Sequence, residues 1–291
     1  MRILITGATG FVGQYLVNQL ISEKIDFITV SRVLKDYSHK HIQLDLLNIR
    51  DYSKIIRKAK VTHIIHLAWY VEHGKYWSSK LNIDWIKATT SLIEAFCQEG
   101  GKHVTIAGTC AEYDWQYGFC IEGLTPKNPS TIYGIAKDTT HKICRNISKK
   151  YNVPLAWGRL FFPYGKGEKA SRLLPSLAKV FEGKQKPFPI SGDSYRDFLH
   201  ATDVASALVT ICKNNASGSF NISSGEPKKV RQVVCLLAKI MSASPNKILD
   251  LMSSHHTEAN FLVGNNDRLS KLGWMKTVEL ANGLKDYYWS K

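Results

Sequence analysis

The first half of the chain repeats one unit: a short apolar run, a glycine or polar turn, then apolar residues at helical spacing. Ile3–Thr6, Phe27–Val30, Thr62–Leu67, Val104–Ala107 and Leu155–Leu160 are rich in aliphatic residues and lack the in–out alternation of a half-exposed strand. They predict strands buried on both faces. Helices are predicted between them, from about Phe11 to Glu23 with Val12, Leu16 and Leu20 on one face, and over about 51–58, 80–98 and 131–150. Buried strands alternating with helices imply parallel βαβ units with right-handed crossovers, so the predicted fold class is α/β, a doubly wound parallel sheet. Beyond Pro163 the unit loses its regularity. A helix near 171–183, an irregular segment Pro187–Ser194, a helix from Thr202, a strand near Phe220–Ile222 and helices near 230–241 and 277–289 suggest a smaller lobe.

Composition narrows the class. With 291 residues, 44% hydrophobic content and 22% charged residues, the chain has globular composition rather than that of a disordered or fibrous protein. No apolar run approaches the ~18–20 residues needed to span a bilayer. Met1–Gly7 lacks the basic region, long apolar core and cleavage site of a signal peptide, so a soluble, cytoplasmic protein without a membrane partner is expected. Cys97, Cys110, Cys120, Cys144, Cys212 and Cys235 are widely spaced, and His255 and His256 are adjacent rather than convergent. Neither a disulfide scaffold nor a metal site is expected. The net charge of +15 is spread along the chain and accompanies no zinc-finger or RNA-binding motif. It suits ligands bearing several phosphates; no specific nucleic-acid partner is expected, only weak salt-dependent retention.

The first predicted strand runs into Thr6-Gly7-Ala8-Thr9-Gly10-Phe11-Val12-Gly13 and then into a helix. Gly7 permits the tight turn, Gly10 lets backbone approach a pyrophosphate, and Gly13 lets helix pack on strand. The helix N-terminus adds free N–H groups and a positive dipole end. Gly7, Thr9, Gly10, Phe11, Val12 and Gly13 are therefore candidate dinucleotide contacts. The second strand ends in Ser31-Arg32, with no carboxylate for ribose hydroxyls. A guanidinium pairs with a 2′-phosphate that a carboxylate would repel, which favours NADP. The expected division is a dinucleotide-binding domain over 1–163, with parts of 187–225 returning to it, and a mainly substrate-binding lobe over 164–291.

Tyr133 and Lys137 stand at i and i+4 on a predicted helix and share a face. An adjacent ammonium favours the phenolate, so Lys137 is expected to lower the Tyr133 pKa. Upstream, Thr109 places a hydroxyl at the C-terminal end of a parallel strand, where open α/β sheets bind ligands.

Together these residues resemble the extended short-chain dehydrogenase/reductase superfamily, the NAD-dependent epimerase/dehydratase branch that modifies nucleotide-linked sugars. The resemblance covers nearly the whole chain. It rests on the glycine motif, Asp45-Leu46 as adenine-contacting pair, His66-Leu67-Ala68 beside the cofactor, Thr109, Tyr133 and Lys137 as catalytic triad, and the block Arg196-Asp197-Phe198-Leu199-His200-Ala201-Thr202-Asp203-Val204-Ala205. It implies that Lys137 binds the nicotinamide ribose, that Tyr133 exchanges a proton with the sugar oxygen, and that Thr109 hydrogen-bonds that oxygen. Arg196 would pair with the substrate diphosphate; a structural ion pair with Asp197 or Asp203 is the alternative. Asp203 is expected to be structural, in the first turn of a helix, and His200 a buried turn histidine. Relatives dimerise through paired helices matching 80–98 and 131–150, which implies a homodimer.

Dehydratases of this type carry Asp-Glu directly after the catalytic Thr, whereas this chain has Cys110 and Ala111. The stretch Gly108–Trp115 resembles bacterial reductases of nucleotide-linked 4-keto-deoxyhexoses, which make units such as abequose or 6-deoxytalose for surface glycans. NADPH-dependent reduction of a C4 ketone is therefore expected. A 4-epimerase and a non-catalytic NADP-binding regulator are the alternatives. Trp69, Tyr70, Glu112 and Trp115 are candidates to line the sugar pocket, with core packing as the competing role.

Overall fold

The computed structural model describes residues 1–33, 39–49, 51–252 and 259–289; His255 and His256 lie outside them. In chain order the first half runs β1 (Arg2–Thr6), α1 (Phe11–Ser22), β2 (Asp26–Ser31), β3 (His41–Gln43), α2 (Ser53–Ala59), β4 (His63–His66), α3 (Leu81–Gln98), β5 (His103–Thr109), β6 (Phe119–Cys120), α4 (Ile132–Lys150) and β7 (Leu155–Leu160). The second half continues with β8 (Pro163–Tyr164), α5 (Leu173–Phe181), β9 (Tyr195–Arg196), β10 (Leu199–His200), α6 (Ala201–Lys213), β11 (Gly218–Ile222), β12 (Lys228–Lys229), α7 (Val230–Ile240), α8 (Asn246–Leu249), β13 (Phe261–Gly264), α9 (Asp267–Ser270) and α10 (Leu280–Trp289).

Seven strands form one parallel sheet in the order β11-β7-β5-β4-β1-β2-β3. This is the Rossmann-like doubly wound arrangement expected from the pattern. Alternate β1 side chains serve opposite faces. Ile3 and Ile5 pack with Leu16 and Leu20 of α1 and Val204 and Leu208 of α6. Leu4 faces the other way, into a core with Leu92, Ile93 and Phe96 of α3 and Cys144 of α4. The edge strand β3 was not predicted: its three residues, half-buried or exposed, lack the apolar run that marks the central strands.

The chain reverses direction across the sheet between β1 and β4, which creates a crevice at their C-terminal ends. Beyond β7 the small strands β8–β10, β12 and β13 fold over this crevice. Behind them α5, α7 and α10 share a separate core of Leu174, Leu177, Val233, Val234, Leu237 and Leu284. Among the described residues no helix is long and apolar enough to cross a membrane.

Candidate active site

Where β1 hands over to α1, at one end of the crevice, the backbones approach closely. Gly7 has φ +75°, and a Cβ there would lie 2.7 Å from the Ala68 nitrogen. A Cβ on Gly13 would lie 2.1 Å from the Gly7 carbonyl oxygen. Only glycine fits either position. Gly10 is the N-cap of α1, and neither a side-chain cap nor an acidic first-turn residue occupies its free N–H groups. Thr6 Oγ1 accepts from the Ala68 N–H at 3.3 Å and bonds His66 Nδ1 at 2.7 Å, tying this turn to the end of β4. His66 Nε2 bonds Thr89 at 3.0 Å, and burial pushes the imidazole down to about 3, so it stays neutral.

Every residue expected to contact cofactor or substrate, Glu112 excepted, lines one cleft of about 1200 Å³. Where β2 meets this cleft Ser31 donates to the Val33 carbonyl at 3.0 Å, and Arg32 is exposed. The Asp45 carboxylate accepts from Leu47 N–H and Asn48 Nδ2, shaping the short turn that presents Leu46 to the cleft.

Thr109 ends β5, and Tyr133 and Lys137 face it from α4. Thr131 caps α4 by accepting from the Gly134 N–H at 3.0 Å, and the Tyr133 N–H donates to the Trp77 carbonyl at 3.1 Å. That second bond docks the β4–α3 loop onto the start of α4. The Tyr133 ring meets Tyr76 edge-on at 4.8 Å and Trp77 at 5.8 Å. Burial raises the Tyr133 pKa above the usual phenol value, Tyr76 adds to the rise, and a hydrogen bond with Thr109 opposes it. This corrects the expected lowering: burial dominates, and the Lys137 ammonium donates to the Ala107 carbonyl at 2.6 Å. Burial brings Lys137 itself down to about 8, against an upward pull from Glu112. Its ammonium lies 4.1 Å from the centre of the Trp69 ring.

Glu112 does not line the pocket. It is fully buried: one carboxylate oxygen accepts from the Thr109 N–H at 2.9 Å and Trp157 Nε1 at 2.8 Å, the other from Arg159 Nε at 2.7 Å. The Thr109 hydroxyl in turn accepts from the Ala111 N–H, so Glu112 and Thr109 cap the turn after β5 reciprocally. Arg196 pairs with neither Asp197 nor Asp203. Its guanidinium donates to the carbonyls of Tyr195 and Ala259, while Asp197 accepts from Ser224, Gly225 and Gly264. Asp203, in the first turn of α6, accepts from Thr277 and Val278 and is structural, as expected. His200 caps α6.

Sequence reasoning missed Tyr76, Trp77, Phe162 and Arg172, which also line the cleft. The run Trp69-Tyr70…Tyr76-Trp77 between a strand and a helix was a usable signal, because four aromatics in a loop cannot all be sheet core.

A parallel doubly wound sheet with a glycine turn at its reversal point and a Thr–Tyr–Lys cluster beside it defines a dinucleotide-dependent enzyme of the extended short-chain dehydrogenase/reductase class. The model of the NAD dependent epimerase/dehydratase family matches residues 3–223, and the chain belongs to that family. It is similar to the dTDP-6-deoxy-L-talose 4-dehydrogenase (NAD(+)) of Aggregatibacter actinomycetemcomitans, 27% identical over 80% of this chain and 88% of that protein. It is also similar to the CDP-abequose synthase of Salmonella muenchen, 24% identical over 98% and 96%. Among solved structures, UDP-N-acetylglucosamine 4-epimerase from Bacillus cereus has the same fold, with a TM-score of 0.84, 22% identity and coverage of 99% and 95%.

Proposed function

We propose that the protein reduces the C4 ketone of a nucleotide-linked 4-keto-deoxyhexose with NADPH, in the biosynthesis of a deoxysugar. The observation that carries this reading is a Thr109–Tyr133–Lys137 cluster sharing one cleft with a Ser31–Arg32 corner that has no carboxylate. The glycine cradle, closed to any Cβ at Gly7 and Gly13, fits a dinucleotide pyrophosphate at the uncapped start of α1. Arg32 and Ser31 are suited to a 2′-phosphate, and Asp45, Leu46, Leu67 and Ala68 to the adenine and nicotinamide sides. The bound dinucleotide supplies the hydride that reaches C4.

Every other step falls to the chain. Burial keeps Tyr133 protonated, which is the form a reduction needs, and its hydroxyl donates the proton to the developing alkoxide. Thr109 donates a hydrogen bond to the same oxygen. Lys137 holds the nicotinamide ribose and supports reprotonation of Tyr133. Trp69, Tyr70, Trp77 and Trp115 offer an aromatic wall to a deoxygenated sugar face, and Arg196 a guanidinium to the diphosphate. In this division residues 1–163 with the returning β11 hold the dinucleotide, and residues 164–291 chiefly hold the substrate. Exposed Ile83, Ile132, Ile135 and Ile143 on α3 and α4 suit a homodimer, and the working compartment is the cytoplasm.

Similarity to a 4-dehydrogenase and to CDP-abequose synthase supports C4 redox chemistry. The second reading is 4-epimerisation, which the same Thr–Tyr–Lys cluster can serve and which the Bacillus cereus fold relative carries out by its name. The test is the loss of reduced-nicotinamide absorbance with dTDP-, CDP-, UDP- and GDP-linked 4-keto-6-deoxyhexoses, using NADPH and NADH in parallel. Turnover with a preference for NADPH is expected. Silence across the panel from protein that binds the dinucleotide would reject the reductase.

A further inference from the structure

Phe162 holds a backbone conformation that a bulky side chain rarely adopts, with φ +26°. It also precedes Pro163, whose ring restricts the residue before it. Strain of this kind persists only where the surrounding structure enforces it, and it gathers at functional sites. Phe162 lies in the cleft wall, between β7 and β8, where the sheet hands the chain to the substrate lobe.

Its ring is the meeting point of two packing clusters. One contains Cys110, Tyr113 and Phe161, behind the Thr109 end of β5. The other is the lobe core, represented here by Phe198 at 6.2 Å between ring centres. The Arg196 guanidinium carbon lies 5.5 Å from the centre of the Phe162 ring, and Arg196 lines the same cleft. A guanidinium over an aromatic face gains from the ring quadrupole while its in-plane N–H groups form the hydrogen bonds. Two of those donors already go to main-chain carbonyls of Tyr195 and Ala259, which fixes the plane of the fork.

We propose that Phe162 is a positioning residue for substrate: its strained backbone turns the ring beneath Arg196 and holds the guanidinium to receive a nucleoside diphosphate. This rests on the reading of Arg196 as the diphosphate contact. Several other described non-glycine residues with positive φ (Lys24, Lys60, Asn152, Asn215 and Ser242) stand at helix ends, where chain reversal explains them.

The test uses Phe162→Asn, Phe162→Leu and Arg196→Gln in the full chain. Binding of UDP, CDP, GDP and dTDP is measured by calorimetry with the dinucleotide site saturated by NADP+, and thermal midpoints are recorded alongside. Asn tolerates the left-handed conformation and has no ring, whereas Leu keeps the strain and is the better core filler. Both Phe162 variants are expected to weaken the best nucleoside diphosphate about tenfold with NADP+ affinity unchanged, and Phe162→Asn is expected to melt above Phe162→Leu. Arg196→Gln should weaken it at least as much. Wild-type diphosphate affinity in both Phe162 variants, with loss in Arg196→Gln, would overturn the role of Phe162 alone. Unchanged binding in Arg196→Gln, or no binding by the wild type, would overturn the reading of Arg196 and this proposal with it.

Discussion

The two ends of the cleft are built by different means. At the glycine end the surfaces are backbone: the turn after β1, the start of α1 and the end of β4, packed so closely that Gly7 and Gly13 have no room for a Cβ. At the aromatic end they are side chains drawn from separate segments, with Trp69 and Trp77 before α3, Trp115 after β5, Phe162 after β7, Arg172 before α5 and Arg196 on β9. Backbone recognition constrains residue identity through sterics, so it admits few sequences. Side-chain recognition constrains only shape and charge, and can be rebuilt from many residues.

The largest expected effect lies between the two ends. Tyr133→Phe should reduce turnover by about 10²–10⁴-fold, the usual contribution of a positioned proton donor, while dinucleotide affinity stays at the wild-type value by fluorescence titration. Next comes the support behind Thr109. Glu112→Ala strands Arg159 as a buried charge and should cost about 3–5 kcal/mol in chemical denaturation, with Glu112→Gln milder because it keeps an acceptor. A Glu112→Ala protein as stable as wild type would show that this pair is not a structural unit.

Two smaller changes separate the ends directly. Gly13→Ala places a Cβ against the Gly7 carbonyl; about 1–3 kcal/mol of overpacking is expected, and dinucleotide binding should fall before substrate binding does. Arg32→Ala should lower the preference for NADPH over NADH about tenfold, ~1.4 kcal/mol, leaving NADH kinetics unchanged. Acid acts on the fold rather than on either end of the cleft. Burial depresses His66 and His141 to about 3 and His103 to about 4, so the unfolded chain takes up protons first as pH falls below 6.5. Stability should be fully present above pH 6.5 and decline from there towards pH 3–4, each histidine costing at most about 1.4 kcal/mol per pH unit. Denaturant midpoints that are flat from pH 7 to 5 would contradict this.

The same contrast explains what could be read in the sequence. The central strands, the main helices and the glycine turn follow from apolar period and steric necessity, which are local properties. Glu112 did not: a glutamate three residues after Thr109 reads as a pocket group, and only the fold reveals Arg159 and Trp157 closing over it from β7. The direction of the Tyr133 shift also depended on tertiary structure, because i, i+4 spacing places Lys137 nearby but says nothing of the Ala107 carbonyl that receives its ammonium. Phe162 left no signal beyond preceding a proline, since its φ is imposed by the junction of two cores.

The most direct test of the central claim is stoichiometry: the moles of NADPH oxidised for each mole of nucleotide-linked sugar converted by the purified protein. Net C4 reduction predicts one to one, with NADPH consumed throughout. Sugar converted with no net oxidation of the dinucleotide would contradict the reductase and establish an epimerase on the same cleft.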